Sequence, residues 1–387
     1  MIPFRNLKRV MIKSIMQPGY ALKVFAKRLA AFVSYSIFDG SSTLPEAVTL
    51  FLTHRCNLRC KMCGQWGDVG ASKKAETALI REELPLSVYE KLIREIAPFR
   101  PNITLFGGEP LLYSGCVDLI RRVKAKKMHC CMITNATLLP RYAGEIVATG
   151  LDELNISLDG PEAKHDEIRG IPGMYQQIRE GVESVQRAKK MRGSSKPFIN
   201  IEFTITQYNY ELMPAMIDAA RSFEANSLNF HHLVFVDQAM LDAHEKVFYP
   251  LFQCSSDDWK GFLLSGVEKI DTKKLSACIA DVKSRRAEFL INVYPNLTPG
   301  ETAEYYADPA RIPAGYARRC LSPWMVAYVF PDGNIRPCLN FSYSPGNVRD
   351  DSFTGVWNNA EYKKFRSALK KRGVFPACSR CTELYRY

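Results

Sequence analysis

Three cysteines stand close together just after the first strongly apolar run, in Thr53-His54-Arg55-Cys56-Asn57-Leu58-Arg59-Cys60-Lys61-Met62-Cys63. The spacing C-x-x-x-C-x-x-C lets three thiolates on one loop grip three irons of a 4Fe–4S cube and leaves the fourth iron open. A zinc ion would ask for a fourth donor, which His54 offers at the end of the preceding run. A second set, Cys320, Cys338, Cys378 and Cys381, lies near the end of the chain and finishes in a C-x-x-C pair. Four thiolates would saturate an auxiliary cluster, or hold a structural zinc as a four-cysteine ribbon. The remaining cysteines are Cys116, Cys130, Cys131, Cys254 and Cys278. Cys116, Cys130 and Cys131 read as small buried residues. Cys254 and Cys278 lie in a bridging stretch from which a cavity is within reach.

Polar residues recur where apolar runs end. Gly107-Gly108-Glu109-Pro110 follows one such run, its glycines permitting close backbone approach and Glu109 offering a carboxylate to an ammonium group. In Asn155-Ile156-Ser157-Leu158-Asp159-Gly160 the alternation puts Asn155, Ser157 and Asp159 on one face of a strand. Asp159 with Gly160 is equally the start of a turn. His231 and His232 end a later run, so one points inward and the other outward. With Cys254, they are candidates for a substrate-facing role.

Together these motifs resemble the radical S-adenosylmethionine (SAM) superfamily. The resemblance implies that Cys56, Cys60 and Cys63 hold a 4Fe–4S cluster whose open iron chelates SAM. One electron from that cluster would cleave SAM to a 5′-deoxyadenosyl radical, which abstracts a hydrogen atom from a substrate. Gly107, Gly108, Glu109 and Pro110 resemble the family's SAM-amino motif. Ser157 and Asp159 resemble its fourth-strand motif, and Arg169 an arginine that meets the SAM carboxylate. Thr134-Asn135 resembles the family's third-strand end, although Ala136 replaces a glycine. Met62 stands where relatives often carry an aromatic against adenine. The region from Cys320 resembles a SPASM/Twitch extension, implying one auxiliary 4Fe–4S cluster on Cys320, Cys338, Cys378 and Cys381 that aids electron transfer or substrate positioning.

These residues need a scaffold that collects them. β-rich runs at Ala47–Thr53, Asn102–Phe106, His129–Thr134, Glu153–Leu158, Phe198–Thr206 and Ser227–Val234 alternate with helical patterns at Pro85–Phe99, Gly115–Lys127, Pro140–Ala148, Met174–Met191 and Glu211–Phe223. Six βα units predict an α/β fold, a partial (β/α)6 barrel with its chemistry at the C-terminal strand ends, followed by a small α+β cluster domain. The expected organisation is a basic helical extension over 1–44, the barrel over 45–236, a bridging region over 237–315 and the cluster domain over 316–387.

The chain has 387 residues and a net charge of +12, with 47% apolar residues, which excludes a disordered class. The charge predicts acidic partners, and an electron donor such as flavodoxin or ferredoxin fits it. Two rival classes are a metal-stabilised nucleic-acid binder and a non-catalytic iron–sulfur carrier. Both leave GGEP and the NISLDG stripe unexplained, and nucleic acid is not expected. Residues 1–38 carry seven basic residues and no acid. Their longest apolar run is too short to span a bilayer and lacks a cleavage site, so a cytoplasmic protein is expected. The segment reads as two amphipathic helices broken near Pro18-Gly19, packed on the barrel through Leu22, Phe25, Leu29 and Phe32 or lying at a membrane surface. The substrate stays open between a peptide and an anionic or membrane-associated small molecule, such as a lipid or tetrapyrrole.

Overall fold

In the computed structural model of the chain, residues 18–386 are described. Six parallel strands appear in sequence order: β1 (Ala47–Phe51), β2 (Asn102–Phe106), β3 (Cys130–Thr134), β4 (Glu153–Ser157), β5 (Phe198–Ile205) and β6 (Ser227–His232). The sheet does not stop there. β7 (Leu290–Tyr294), from within the bridging stretch, pairs in parallel with β6. On the other edge β8 (Val326–Val329) pairs in parallel with β1, and the hairpin of β9 (Asn334–Arg336) and β10 (Gly346–Asn347) extends it. The result is one open, barrel-like sheet of ten strands with β1 in its interior.

Alternation sorts the strand residues between two faces. In β2, Ile103 and Leu105 are fully buried towards the helices, while Asn102, Thr104 and Phe106 face the inner cavity. β5 repeats the pattern over eight residues, with Asn200, Glu202 and Thr204 on the less buried side. The outer helices occur close to where periodicity predicts them. In helix Leu86–Ile96, Tyr89, Leu92, Ile93 and Ile96 make the buried stripe. The one predicted helix that breaks is Glu211–Phe223. Pro214 lacks an N–H donor, and the segment splits into a 3-10 turn at Tyr210–Leu212 and helix Met216–Ser222.

The N-terminal extension departs most from expectation. Helix α1 (Pro18–Ile37) begins at the predicted break, and the first basic stretch, residues 1–17, lies outside the described residues. α1 turns its cations inward: Lys27 donates to the carbonyls of Pro45 and Phe99, and Arg28 pairs with the buried Glu46 at 2.8 Å. Burial lowers the Lys27 pKa to about 8. Leu22, Phe25 and Leu29, expected to pack on the barrel, are exposed, whereas Phe32 packs partly against the core. Carbonyl groups left at the loop ends of the barrel want donors, and the lysines and arginine supply them.

Three histidines are folded into this core in neutral form. Burial lowers the pKa of His232 to about 3 and of His244 to about 4, and holds His165 well below the ordinary value. The unfolded chain therefore takes up more protons than the folded one below about pH 6.5. Stability should fall as pH drops from 6.5 towards 4, by up to about 1.4 kcal/mol per pH unit for each histidine. Thermal unfolding across that range checks this, and His244→Gln should flatten the slope.

Candidate active site

The loop between β1 and the first outer helix carries the three clustered cysteines. It is held by backbone bonds of its own: Cys63 N donates to Cys60 O at 3.1 Å and Gly67 N to Cys63 O at 2.8 Å. Two thiols accept N–H groups, Cys56 from Leu58 at 3.4 Å and Cys63 from Trp66 at 3.3 Å. The 107–110 turn after β2 is stitched to the same loop, with Gly108 N on Thr53 O at 2.8 Å and Glu109 N on Arg55 O at 2.9 Å. A Cβ at Gly107 would lie 2.7 Å from Thr53 O, and one at Gly108 2.3 Å from Arg55 O. The glycines are thus required by the approach of two protein backbones.

Cys56, Cys60, Cys63, Met62, Gly107, Gly108, Asn135, Ser157, Arg169, His231 and His232 all line one cavity of about 330 Å³. Three predicted contact residues, Glu109, Pro110 and Asp159, do not. Glu109 is fully buried behind the cavity wall, where its carboxylate accepts from Leu111 N (3.1 Å), Thr134 Oγ1 (2.8 Å) and Asn135 N (2.8 Å). Burial raises its pKa, against the pull of those three donors. The carboxylate expected to meet an ammonium instead ties the end of β2 to the end of β3, with Pro110 buried beside it. Asp159 is likewise buried, accepting from Thr204 N at 2.9 Å and from Arg169 Nε at 2.7 Å. Arg169 then reaches Cys60 Sγ at 3.5 Å. Burial raises the Cys60 pKa and the Arg169 guanidinium opposes it; burial also pushes Cys56 up to about 12. Ala136 takes the left-handed φ of 64° at the position where the family has glycine. Cys254 lines neither this cavity nor its neighbour.

A second cavity of about 400 Å³ runs down the inside of the barrel and ends against Cys338 and Cys381. Phe106, Ile133, Val234, Phe262 and Thr382 border both cavities, which therefore adjoin. Beyond it, Cys320, Cys338, Cys378 and Cys381 surround one small enclosed space. All four thiols are buried with raised pKa, and each of Cys320 and Cys338 is pushed further by the sulfurs opposite. The sulfurs ring a space instead of meeting at a point: among the described residues no group of three His, Cys, Asp or Glu side chains is spaced for a single metal ion. Seven sulfur donors in two sets fit two iron–sulfur clusters, since bound iron supplies the charge that buried thiolates lack.

Several lining residues escaped sequence reasoning. Trp66 donates from its indole N–H to His54 O at 2.8 Å and carries the Arg59 guanidinium 4.0 Å above its ring. On the inner face of β4 to β7 runs a polar ladder. Asn200 donates to Asn155 (2.9 Å), Asn229 to Glu202 (2.9 Å), and Asn292 to Asn229 (2.8 Å). His231 Nε2 meets Glu202 Oε2 at 2.6 Å. The signal was present as polar residues two apart within apolar strands, Asn200/Glu202/Thr204 and Asn229/His231.

Comparison with known proteins agrees with this geometry. The sequence profile of the radical SAM superfamily matches residues 50–196, and that of the SPASM iron–sulfur cluster-binding domain matches residues 320–382. A pre-heme d1 synthase of Dinoroseobacter shibae is 32% identical over 349 residues, covering 87% of this chain and 79% of the relative. An AdoMet-dependent heme synthase of Methanosarcina barkeri is 26% identical over 338 residues, covering 86% and 88%. Streptococcus suis SuiB bound to S-adenosylmethionine shares the fold, with a TM-score of 0.59, 17% identity and coverage of 94% and 79%.

Replacing Asp159 by Asn should strand the Arg169 charge behind the cavity. A broken buried pair costs about 3–5 kcal/mol. We expect a lower unfolding midpoint in denaturant and SAM affinity reduced about tenfold by calorimetry, while Glu167→Gln on the exposed face of the same helix changes neither.

Proposed function

Because the chain belongs to the radical SAM superfamily and carries a SPASM domain, we propose that its cavity is where SAM and a tetrapyrrole substrate meet. The protein is a radical SAM enzyme: a 4Fe–4S cluster with SAM would supply a 5′-deoxyadenosyl radical that removes a substrate hydrogen atom, and an auxiliary cluster would aid electron transfer or substrate positioning. What carries the reading is that the three-cysteine loop, the 107–108 turn, Ser157 and Arg169 border one cavity, and that the cavity adjoining it reaches Cys338 and Cys381. Cys56, Cys60 and Cys63 hold the SAM-binding cluster. Asn135 and the backbone of the 107–108 turn orient the amino acid end of SAM, Arg169 takes its carboxylate, and Met62 packs near adenine. Glu109 and Asp159 act through the groups they fix. Cys320, Cys338, Cys378 and Cys381 hold the auxiliary cluster.

The substrate class follows from relatives that bear tetrapyrrole names over nearly the whole chain and from the cavity's flat apolar border of Phe106, Ile133, Val234 and Phe262. A peptide is the alternative that binding assays distinguish. The electron donor is an acidic redox protein that approaches beside the exposed Asn57 and Arg59 of the cysteine loop, where the basic surface favours it. A peripheral membrane contact is supported by the outward stripe of α1, in which Leu22 is 72%, Phe25 57%, Leu29 53% and Ile37 69% exposed. Residues 1–17 add four cations and no acid to this end of the chain. No helix among the described residues is long and apolar enough to cross a membrane.

Reconstituted under anaerobic conditions, the protein should hold about eight irons, and about four after Cys56, Cys60 and Cys63 are changed to Ala. The reduced parent should convert SAM to 5′-deoxyadenosine while the triple variant should not. A parent that holds both clusters yet neither binds nor cleaves SAM would overturn the site assignment. For the membrane contact, the chain should sediment with phosphatidylserine vesicles at low salt. Leu22→Ser/Phe25→Ser/Leu29→Ser should release it; indifference of the parent to vesicles ends that reading.

A further inference from the structure

We infer that His231 is the axial ligand to the iron of a tetrapyrrole substrate and that Glu202 is the carboxylate that aims it. This rests on the tetrapyrrole reading above and names the group that recognises the substrate's metal. A carboxylate oxygen accepts from an imidazole, so Nε2 carries the hydrogen directed at Glu202, and Nδ1 is the ring nitrogen left to bind a metal in the neutral tautomer. That is the arrangement of a metal-ligating histidine, whose second ring nitrogen donates to a carboxylate that fixes the tautomer and raises ligand basicity. The ring is not packed away. Its side chain retains 36% exposure and borders the same cavity as the three-cysteine loop.

Glu202 is itself fixed. Its other oxygen accepts Asn229 Nδ2 at 2.9 Å, Asn229 also donates to Ser227 Oγ at 3.0 Å, and its Oδ1 accepts Asn292 Nδ2 at 2.8 Å. Four side chains on three adjacent strands thus hold one imidazole in place, a costly polar construction for the inside of a barrel unless it serves a ligand. The other histidines are differently placed. His165 accepts from Asp159 N, His232 Nδ1 meets Tyr306 OH among Tyr305 and Phe235, and His244 stacks between Phe248 and Phe341. His54 lies against Phe51, and His129 borders the lower cavity beside Glu153.

Ferric coproporphyrin III and its metal-free form are suitable probes for the reconstituted full chain. After reduction, the iron complex of the parent should give an iron–histidine stretching band in resonance Raman spectra excited in the Soret region. His231→Gly should lose the band and regain it on addition of imidazole. Glu202→Gln should keep the band at lower frequency and bind the iron porphyrin about tenfold more weakly, with binding of the metal-free porphyrin unchanged. A band that survives in His231→Gly, or that disappears instead in His129→Gln or His232→Gln, overturns the assignment. If the parent cleaves SAM but binds neither porphyrin, the tetrapyrrole reading itself falls. If His231→Gly does not fold, the frequency shift in Glu202→Gln decides, since a histidine elsewhere would leave it unmoved.

Discussion

The ion pair between Asp159 and Arg169 is the interaction on which the site depends. Asp159 ends the fourth strand and accepts the backbone N–H of Thr204 from the fifth. Its own backbone is engaged by His165 and Asn209. Arg169 ends the helix Glu162–Arg169 and bridges from this carboxylate to the sulfur of Cys60. One buried charge pair therefore joins two strands, a helix and the cysteine loop. Burying it is expensive, and the cost is offset because each partner also finds hydrogen-bond partners beyond the pair. The cation lies at the cavity edge, where it opposes the cost of a thiolate at Cys60.

A similar economy governs the second and third strand ends. Glu109 is fully buried and does not line the cavity, yet the residues it binds, Thr134 and Asn135, are cavity residues. The carboxylate holds part of the wall in place through Thr134 and Asn135. Motif residues thus divide into those that line the cavity and those that hold the lining in place, and sequence spacing does not distinguish the two.

That division marks how much was legible beforehand. The cysteine sets, the six strands and most outer helices were readable because each rests on a local rule: ligand spacing, period-2 alternation or period-3.6 burial. Arg169 and Ser157 border the cavity, at strand and helix ends that the same rules locate. Glu109 was readable as important but not in its direction, since the three donors that claim it come from distant parts of the chain or from its own turn. The inward cations of α1 reversed an amphipathic expectation because the loop-end carbonyls of Pro45 and Phe99 are invisible in sequence. The alternation behind the ladder on β5 to β7 is written in the strands, but its bonds join side chains on neighbouring strands, and the register that pairs them is not local.

The pairing of β8 with β1 has a consequence for synthesis. β1 leads straight into the cysteine loop and leaves the ribosome well before its neighbour on that side, which is assembled from residues 326–329. Until residues 326–329 have been made, β1 presents an unpaired edge beside three thiols. Iron–sulfur delivery to the nascent chain would meet an incomplete wall, and the long separation in sequence makes closure a late, slow event. The order of translation therefore favours a chain that completes its sheet first and receives its clusters afterwards.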